Sequence, residues 1–550
     1  MEIGKVGRFT TMEFHSHARG IMSMTTDKTM DIYSIETKKE IFSIDTKETT
    51  KQHTWSPLSG NHILAHSTSN ALTTYDPRTS SAQLEITTQY MPNRPSTSTF
   101  LDDTTILTTG SISKWNPSLM TGSLRSTMSP TIHLYDLRNP TSPTTTIPLT
   151  TSSSPSTCLY PLIDPIRKLA YITGRHTSSL YALDFSSPSP MPTTLTLAGT
   201  ILDAALLPAY ETDVMRAEIN RLYVLMKGAI VPVSVRVERK SYLDFHADLF
   251  PDVFVPSGID GAKWVDGQQE GRDKISLDPE RQQWRGEIKK DERLKGVAST
   301  GTSEMTLSED PVGWKQIEDE NQSASETHGL AHQVPQARNP TESISPSSPP
   351  APSQNTTPPP SPPHPTISET HSSTPPPQGT GSQVSPISPP PRTPGTYTRS
   401  FLTGSQHHPS TSYTSLPPLP TIPSHRLLHA TSEHLLFPIA GAGGRLVLLP
   451  LGNVGRYTES QVIEIGCGIV DFEACQYAPN VVIAGEDGSV RVYSGKEEKR
   501  IQVEKVVQVS WHPLASNVIG ILCVEQGNSE FRVWNSEEGS EKVCGLAYPV

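Results

Sequence analysis

Cys158, Cys467, Cys475, Cys523 and Cys544 have the most direct access to redox or metal chemistry, yet no two of them stand in a Cys-x-x-Cys spacing. Most sit inside apolar, strand-like runs, where a reduced and buried thiol is expected. The 18 histidines are scattered, and neither Gly-x-Ser-x-Gly nor His-Glu-x-x-His occurs, so nothing sets a nucleophile beside a base. Gly441-Ala442-Gly443-Gly444 would cradle a phosphate only between a strand and a helix, and no such context surrounds it. These glycines are read as places of close backbone approach. The chain is expected to be no enzyme, to hold no cofactor and no metal, and to act by binding other proteins.

Binding residues need a scaffold, and the most specific stretch of sequence lies beside a clear piece of one. Leu222, Val224, Val231, Val233, Val235 and Val237 form two alternating apolar strands around a Lys227-Gly228 turn, in which glycine can adopt positive φ. After this hairpin comes Arg239-Lys240-Ser241-Tyr242-Leu243-Asp244-Phe245-His246-Ala247-Asp248-Leu249-Phe250-Pro251. Phe245, Leu249 and Phe250 are expected to pack this segment across the outside of the sheet, with Arg239 and Asp248 paired near its rim.

The same hairpin recurs. Strand-ending aromatics stand at Tyr33, Tyr75, Tyr135, Tyr181, Tyr223, Tyr493 and Trp534. Most neighbours are about 40 to 46 residues apart, near the WD40 period. An insert near Trp115 to Ser129 accounts for the wide step before Tyr135. The plan is clearest in Val481 to Tyr493, where the Asp487-Gly488 turn joins two β-rich runs. One four-stranded unit cannot bury both of its faces, so such units must stack around an axis. The expected fold is all-β, a WD40-type β-propeller.

On this background the Arg239 to Pro251 stretch resembles the signature that closes a coronin propeller, through Arg239, Lys240, Ser241, Phe245, Asp248, Leu249 and Pro251. Glu218-Ile219-Asn220-Arg221-Leu222-Tyr223 is similar to the family's Glu-Ile-x-Arg-Phe-Tyr strand, which adds Glu218, Arg221 and Tyr223 as structural residues. Trp264 and Lys274-Ile275-Ser276-Leu277 follow in the family's order. Leu436 to Arg445 resembles the segment opening the second propeller of the long tandem coronins, the branch without a coiled coil. Ile469-Val470-Asp471-Phe472, Gly485-Glu486-Asp487-Gly488 and Trp511 to Ser516 continue the match.

The resemblance implies that residues 14–240 carry the family's blades three to seven and residues 425–550 its blades one and two. A post-propeller extension over 241–296 would end in a short helix capped by Asp278, with Pro279 at its first position. About five blades and two make one seven-bladed ring, a composite of blades from both ends of the chain. A piece from the middle of a tandem coronin would show the same order. Burial favours the single ring, because two partial rings leave open blade faces and unpaired strand edges.

Composition bounds the rest. Only 34% of the 550 residues are hydrophobic and 51 are proline, so a large part of the chain is expected outside any core. A net charge of −11 without a basic, aromatic-interleaved stripe excludes the footprint of a nucleic-acid binder. No apolar run is long enough to cross a membrane, and Met1 to Val6 leads into no apolar h-region, so a cytoplasmic protein is expected. Residues 297–424, rich in Ser, Thr and Pro, read as a disordered linker. Within it Pro417-Pro418-Leu419-Pro420 resembles a WW-domain ligand and Pro386 to Arg392 approximates an SH3 ligand. The coronin resemblance implies actin filaments or actin-regulatory proteins as partners, a cytoskeletal location, and a role in actin organisation or actin-linked membrane traffic. The alternative is an adaptor without actin binding that recruits SH3 or WW proteins, since the family's N-terminal basic stretch has no match at Met1 to Thr10 or at His425-Arg426.

Overall fold

Short β-rich runs joined by tight turns pair most readily with their sequence neighbours, and the computed structural model of the chain consists almost wholly of such antiparallel sheets. It describes residues 9–549 except 80, 92–93, 115–126, 150–158, 188, 243, 255–257, 269–272, 280–401, 407–410, 420, 425, 459–461, 477, 496, 538–540 and 543–547. The body of the short helix expected after Pro279 and the SH3-type motif Pro386 to Arg392 lie outside the described residues.

Among the described residues eight blades follow one another in chain order. They run from Thr11 to Asp45, Thr50 to Thr87, Thr97 to Pro148, Leu159 to Thr196, Ile201 to Val237, His429 to Glu464, Ile469 to Gln502 and Lys505 to Lys542. The expectation of seven is corrected here. The region read as two blades holds three, and the missed one is built on the hairpin His434–Ile439 and Arg445–Pro450. Its second strand ends in Leu449 and Pro450, so a count keyed to terminal aromatics passes over it. The wide step before Tyr135 is a hairpin of two ten-residue strands, Thr105–Lys114 and Thr127–Asp136.

The first strand of each blade is the inner one, and at most seams it touches the first strand of the next blade. Inner strands of neighbouring blades share no backbone ladder, so side chains must tie them together. Three do so from the same position. Bulges between Ile201 and Asp203, Ile469 and Asp471, and Val506 and Gln508 re-aim the residue that follows. The Asp203 carboxylate accepts from the Leu427 and Leu428 N–H groups at 2.7 and 3.0 Å, joining the fifth blade to the sixth. Asp471 accepts from Val509 N–H at 3.0 Å, joining the seventh to the eighth. The Gln508 amide exchanges bonds of 3.4 Å with both the N–H and the C=O of Met12, joining the eighth to the first.

Two of these ties span the seams between the N-terminal and C-terminal portions of the chain. Apolar packing follows them. Met12, Phe14 and Met22 share a core cluster with Leu522, Phe531 and Val533, while Leu207, Tyr223 and Leu225 share another with Leu427, Phe437 and Phe472. The ring thus closes on itself. Asp203→Ala is expected to cost about 3 kcal/mol or more, because it leaves two buried N–H groups and the Tyr160 hydroxyl, 2.8 Å away, without their acceptor. Urea unfolding checks this: an unchanged midpoint would show that the tie contributes nothing.

The fifth blade departs most from the sequence reading. Its third strand, Ala229–Val237, is flanked not by the next residues in sequence but by Leu402–Gln406 and Tyr413–Thr414. Tyr413–Thr414 also pairs in parallel with Gly455–Arg456 of the sixth blade, and the Tyr413 hydroxyl donates to the Leu451 carbonyl at 2.7 Å. Residues 411–419 therefore clamp the two blades together. The disordered linker expected over 297–424 is corrected at its C-terminal end. Tyr413, Leu416 and Ile422 are buried, but their apolar signal is diluted by the surrounding Ser, Thr and Pro.

The WW-type motif Pro417-Pro418-Leu419-Pro420 is corrected for the same reason. The Pro417 carbonyl accepts from Ala440 N–H and Leu419 N–H donates to the Pro438 carbonyl, both at 2.9 Å, and Leu419 packs on the core. A polyproline ligand must present itself to a groove, and Pro417 to Leu419 are already engaged by the sixth blade. Pro420 is outside the described residues.

Candidate interaction site at the mouth of the ring

The segment after the fifth blade crosses one face of the ring. Leu249, Phe250 and Val253 pack with Ile275 and Leu277 against the fourth and fifth blades, and Val253–Phe254 pairs with Lys274–Ile275. Ile259–Asp260 then runs parallel to Ala18–Arg19 of the first blade. Asp260 caps the short helix Gly261–Val265 by accepting from Ala262 N–H at 2.7 Å. That helix sets Trp264 between His15 and Trp55, with the Arg78 guanidinium 5.6 Å from the ring centroid. The segment is a strap fixed at both ends.

Beside the strap, where inner strands of the fourth to seventh blades converge and Pro57 and Leu58 reach in from a loop of the second, lies a cavity of about 1010 Å³. Leu162, Leu206 and Phe254 contribute apolar wall, and Arg175, Arg426 and Glu473 contribute charge. Asp203 also faces it, and burial pushes its carboxyl above the usual carboxylate range despite the bonds it accepts. Glu473 accepts from Trp511 N–H at 2.8 Å and pairs with Arg426 at 3.4 Å. That neighbouring carboxylate holds the Arg426 guanidinium above its ordinary range. His429 is pushed down to about 4 by burial and is neutral at pH 7.

Sequence reasoning did not single out Asp203, Arg175, Arg426 or Glu473. A signal was available: Ile201-Leu202-Asp203-Ala204 and Ile469-Val470-Asp471-Phe472 each place one acid at the same point of an apolar run.

The structure distributes the signature residues around the fifth blade rather than gathering them in the cavity. The Glu218 carboxylate is fully buried and accepts from Arg221 Nε at 2.9 Å, from Asp213 N–H at 2.9 Å and from the Ser234 hydroxyl. Burial raises its pKa, but the Arg221 and Ser234 bonds outweigh this and leave it below its usual value. Tyr223 is buried with its ring 6.3 Å from that of Tyr413, in the seam. Arg239 pairs with Asp248, and Phe245 stacks on Phe250 at 5.8 Å. Leu249 is buried, Pro251 is half-buried, and Lys240 and Ser241 are exposed. Nothing in this arrangement assembles a reactive centre; its geometry is that of a packed corner.

Known proteins bear on the family. A family model described as a type of WD40 repeat matches residues 230–271. A coronin-7 from Mus musculus is 24% identical over 555 aligned residues, covering 97% of this chain and 54% of the relative. A coronin-7 from Bos taurus is 37% identical over 138 residues, covering 24% of this chain and 15% of the relative. Among solved structures, the WD40 domain of a Toxoplasma gondii coronin aligns with 21% identity and a TM-score of 0.41, over 49% of this chain and 67% of that one. The chain spans about half the length of the mouse relative, and less of the bovine one. The chain is thus similar to the coronins along nearly its whole length, at low identity.

Proposed function

We propose that the chain is a coronin-like WD-repeat scaffold that acts in actin cytoskeleton organisation or actin-linked membrane traffic, binding proteins through its propeller loops. The observation that carries this reading is the alignment with coronin-7 over 97% of the chain. The packed, ion-paired state of the Glu218 to Pro251 corner supports a structural role for those residues, leaving contact with partners to the loops and the ring mouth. A cytoplasmic, cytoskeleton-associated location follows from the same reading. No helix among the described residues is long and apolar enough to cross a membrane.

Sedimentation with actin filaments tests the proposal. With a net charge of −11 on this chain, contact with a filament is expected to rest on local basic groups. Pelleting is expected at low ionic strength and should fall steeply as salt rises toward a Debye length of about 8 Å at 0.15 M. A chain that stays in the supernatant at low salt would remove the actin reading.

A further inference from the structure

We propose that the cavity at the ring mouth is a docking site for a short segment of a partner protein that places an apolar side chain beside an acidic one. The inference rests on the scaffold reading and names the chemistry of what the scaffold takes.

Size is the first argument. At about 1010 Å³ the cavity stands at the upper end of the roughly 300–1,000 Å³ typical of ligand sites, and its exposed surface is mostly apolar. It offers an extended segment room for more than one side chain. Leu162 and Leu206 come from the inner strands of the fourth and fifth blades, while Phe254 comes from the strap. Three separately anchored elements thus give one apolar wall.

The supply of donors is the second argument, for the lining carries three carboxylates, Asp164, Asp203 and Glu473, against two guanidiniums, Arg175 and Arg426. The acids at the cavity are each bonded into its wall. Asp203 accepts from Ala204, Leu427 and Leu428 N–H groups and from the Tyr160 hydroxyl. Asp164 accepts from the Arg167 guanidinium at 2.7 Å and the Asn220 amide at 3.1 Å. Glu473 is held by Trp511 N–H and Arg426. With their acceptor positions so engaged, these carboxylates recruit few further donors. Arg426, by contrast, reaches both Glu473 and the Phe472 carbonyl through Nη1, and its side chain stays 37% exposed beside an acid that is 19% exposed. Arg175 contributes a second guanidinium from the fourth blade. An incoming carboxylate would meet planar, charged donors against a low-dielectric wall, where a charge-assisted bond is strongest.

The test uses the full chain and a positional-scanning library of fluorescent N-acetyl hexapeptide amides, read by anisotropy at low salt. Selection for Asp or Glu next to Leu, Ile or Phe is expected, and the selected peptide should bind one to one. Arg175→Gln and Arg426→Gln should each weaken it about tenfold, as expected for loss of one charge-assisted contact. Because Arg426→Gln also frees Glu473, Leu162→Trp serves as the independent variant. It narrows the cavity without touching charge, and should abolish binding while the thermal midpoint stays within about 5 °C. No retained peptide, a preference for basic residues, or binding indifferent to Leu162→Trp would overturn the proposal. Peptide anisotropy and actin pelleting are separate readouts, so failure of either is distinguishable from failure of the other.

Discussion

Residues 1–300 expressed alone should aggregate, and co-expression with residues 396–550 should return them to solution as a one-to-one complex. Cutting the ring there exposes both seams. On one side Phe14, Met22 and Tyr33 lose Leu522, Phe531 and Val533; on the other Tyr223 and Ile230 lose Tyr413, Leu416 and Phe437. Each large apolar side chain returned to water costs about 1.5–3 kcal/mol, so either seam is comparable to the whole net stability of an ordinary domain, about 5–15 kcal/mol. The starting point of the second fragment matters. A fragment beginning at residue 425 lacks Leu402–Gln406 and the 411–419 clamp, so it should rescue poorly, because the edge of Ala229–Val237 stays unpaired. Two soluble fragments that ignore one another in size-exclusion chromatography would refute the closed ring. Equal rescue by both fragments would refute the clamp alone.

Acid should unfold the protein between about pH 6 and 4, a window that opens well above the titration of ordinary carboxylates. Burial pushes His53, His429 and His512 down to about 4 and His66 down to about 3, the nearby Lys51 ammonium adding to the effect at His66. His53 sits between the Thr11 and Ser23 hydroxyls at 2.7 and 2.8 Å, and the His512 ring lies 4.9 Å from Phe14. An unfolded histidine takes up its proton near pH 6.5, whereas these four take it up in the native state only near or below pH 4. The unfolded state therefore binds more protons across that window, and native stability is lost as pH falls through it. Each such histidine contributes up to about 3 kcal/mol.

Glu13 opposes them. Burial raises its carboxyl to about 8, so in the native state it binds a proton that the unfolded chain releases near 4.5, and stability falls as pH rises from there to 8. Burial raises Asp203 and Asp471 in the same sense. Circular dichroism across pH should show a cooperative acid transition that His53→Gln moves to lower pH. A signal flat down to pH 4 would show that these rings are solvated.

Local chemistry fixed a great deal about this protein before any contact was known. Alternating apolar runs with Asp-Gly or Lys-Gly turns can form little but hairpins, and hairpins repeating at about 40 residues can bury their faces only by stacking around an axis. The Gly441 to Gly444 run was legible as a close approach, and Gly444 requires it: at φ +57° a Cβ there would lie 1.7 Å from the Cys467 carbonyl oxygen. The Arg239 to Pro251 stretch marked the end of a blade in sequence, since its Phe and Leu residues have no strand partner of their own.

What the tertiary structure alone decided depends on contacts between residues far apart in the chain. The number of blades could not be read, because a sixth blade that closes on Leu449 and Pro450 satisfies its packing without a terminal aromatic. Nor could the clamp at 411–419, where the buried Tyr413 and Leu416 gain their partners from blades on either side of a long insertion. Asp203 is the sharpest case. Composition makes it one acid among 56 Asp and Glu residues, and only the arrival of Leu427 and Leu428, more than two hundred residues later, gives its carboxylate the donors that make it part of the seam.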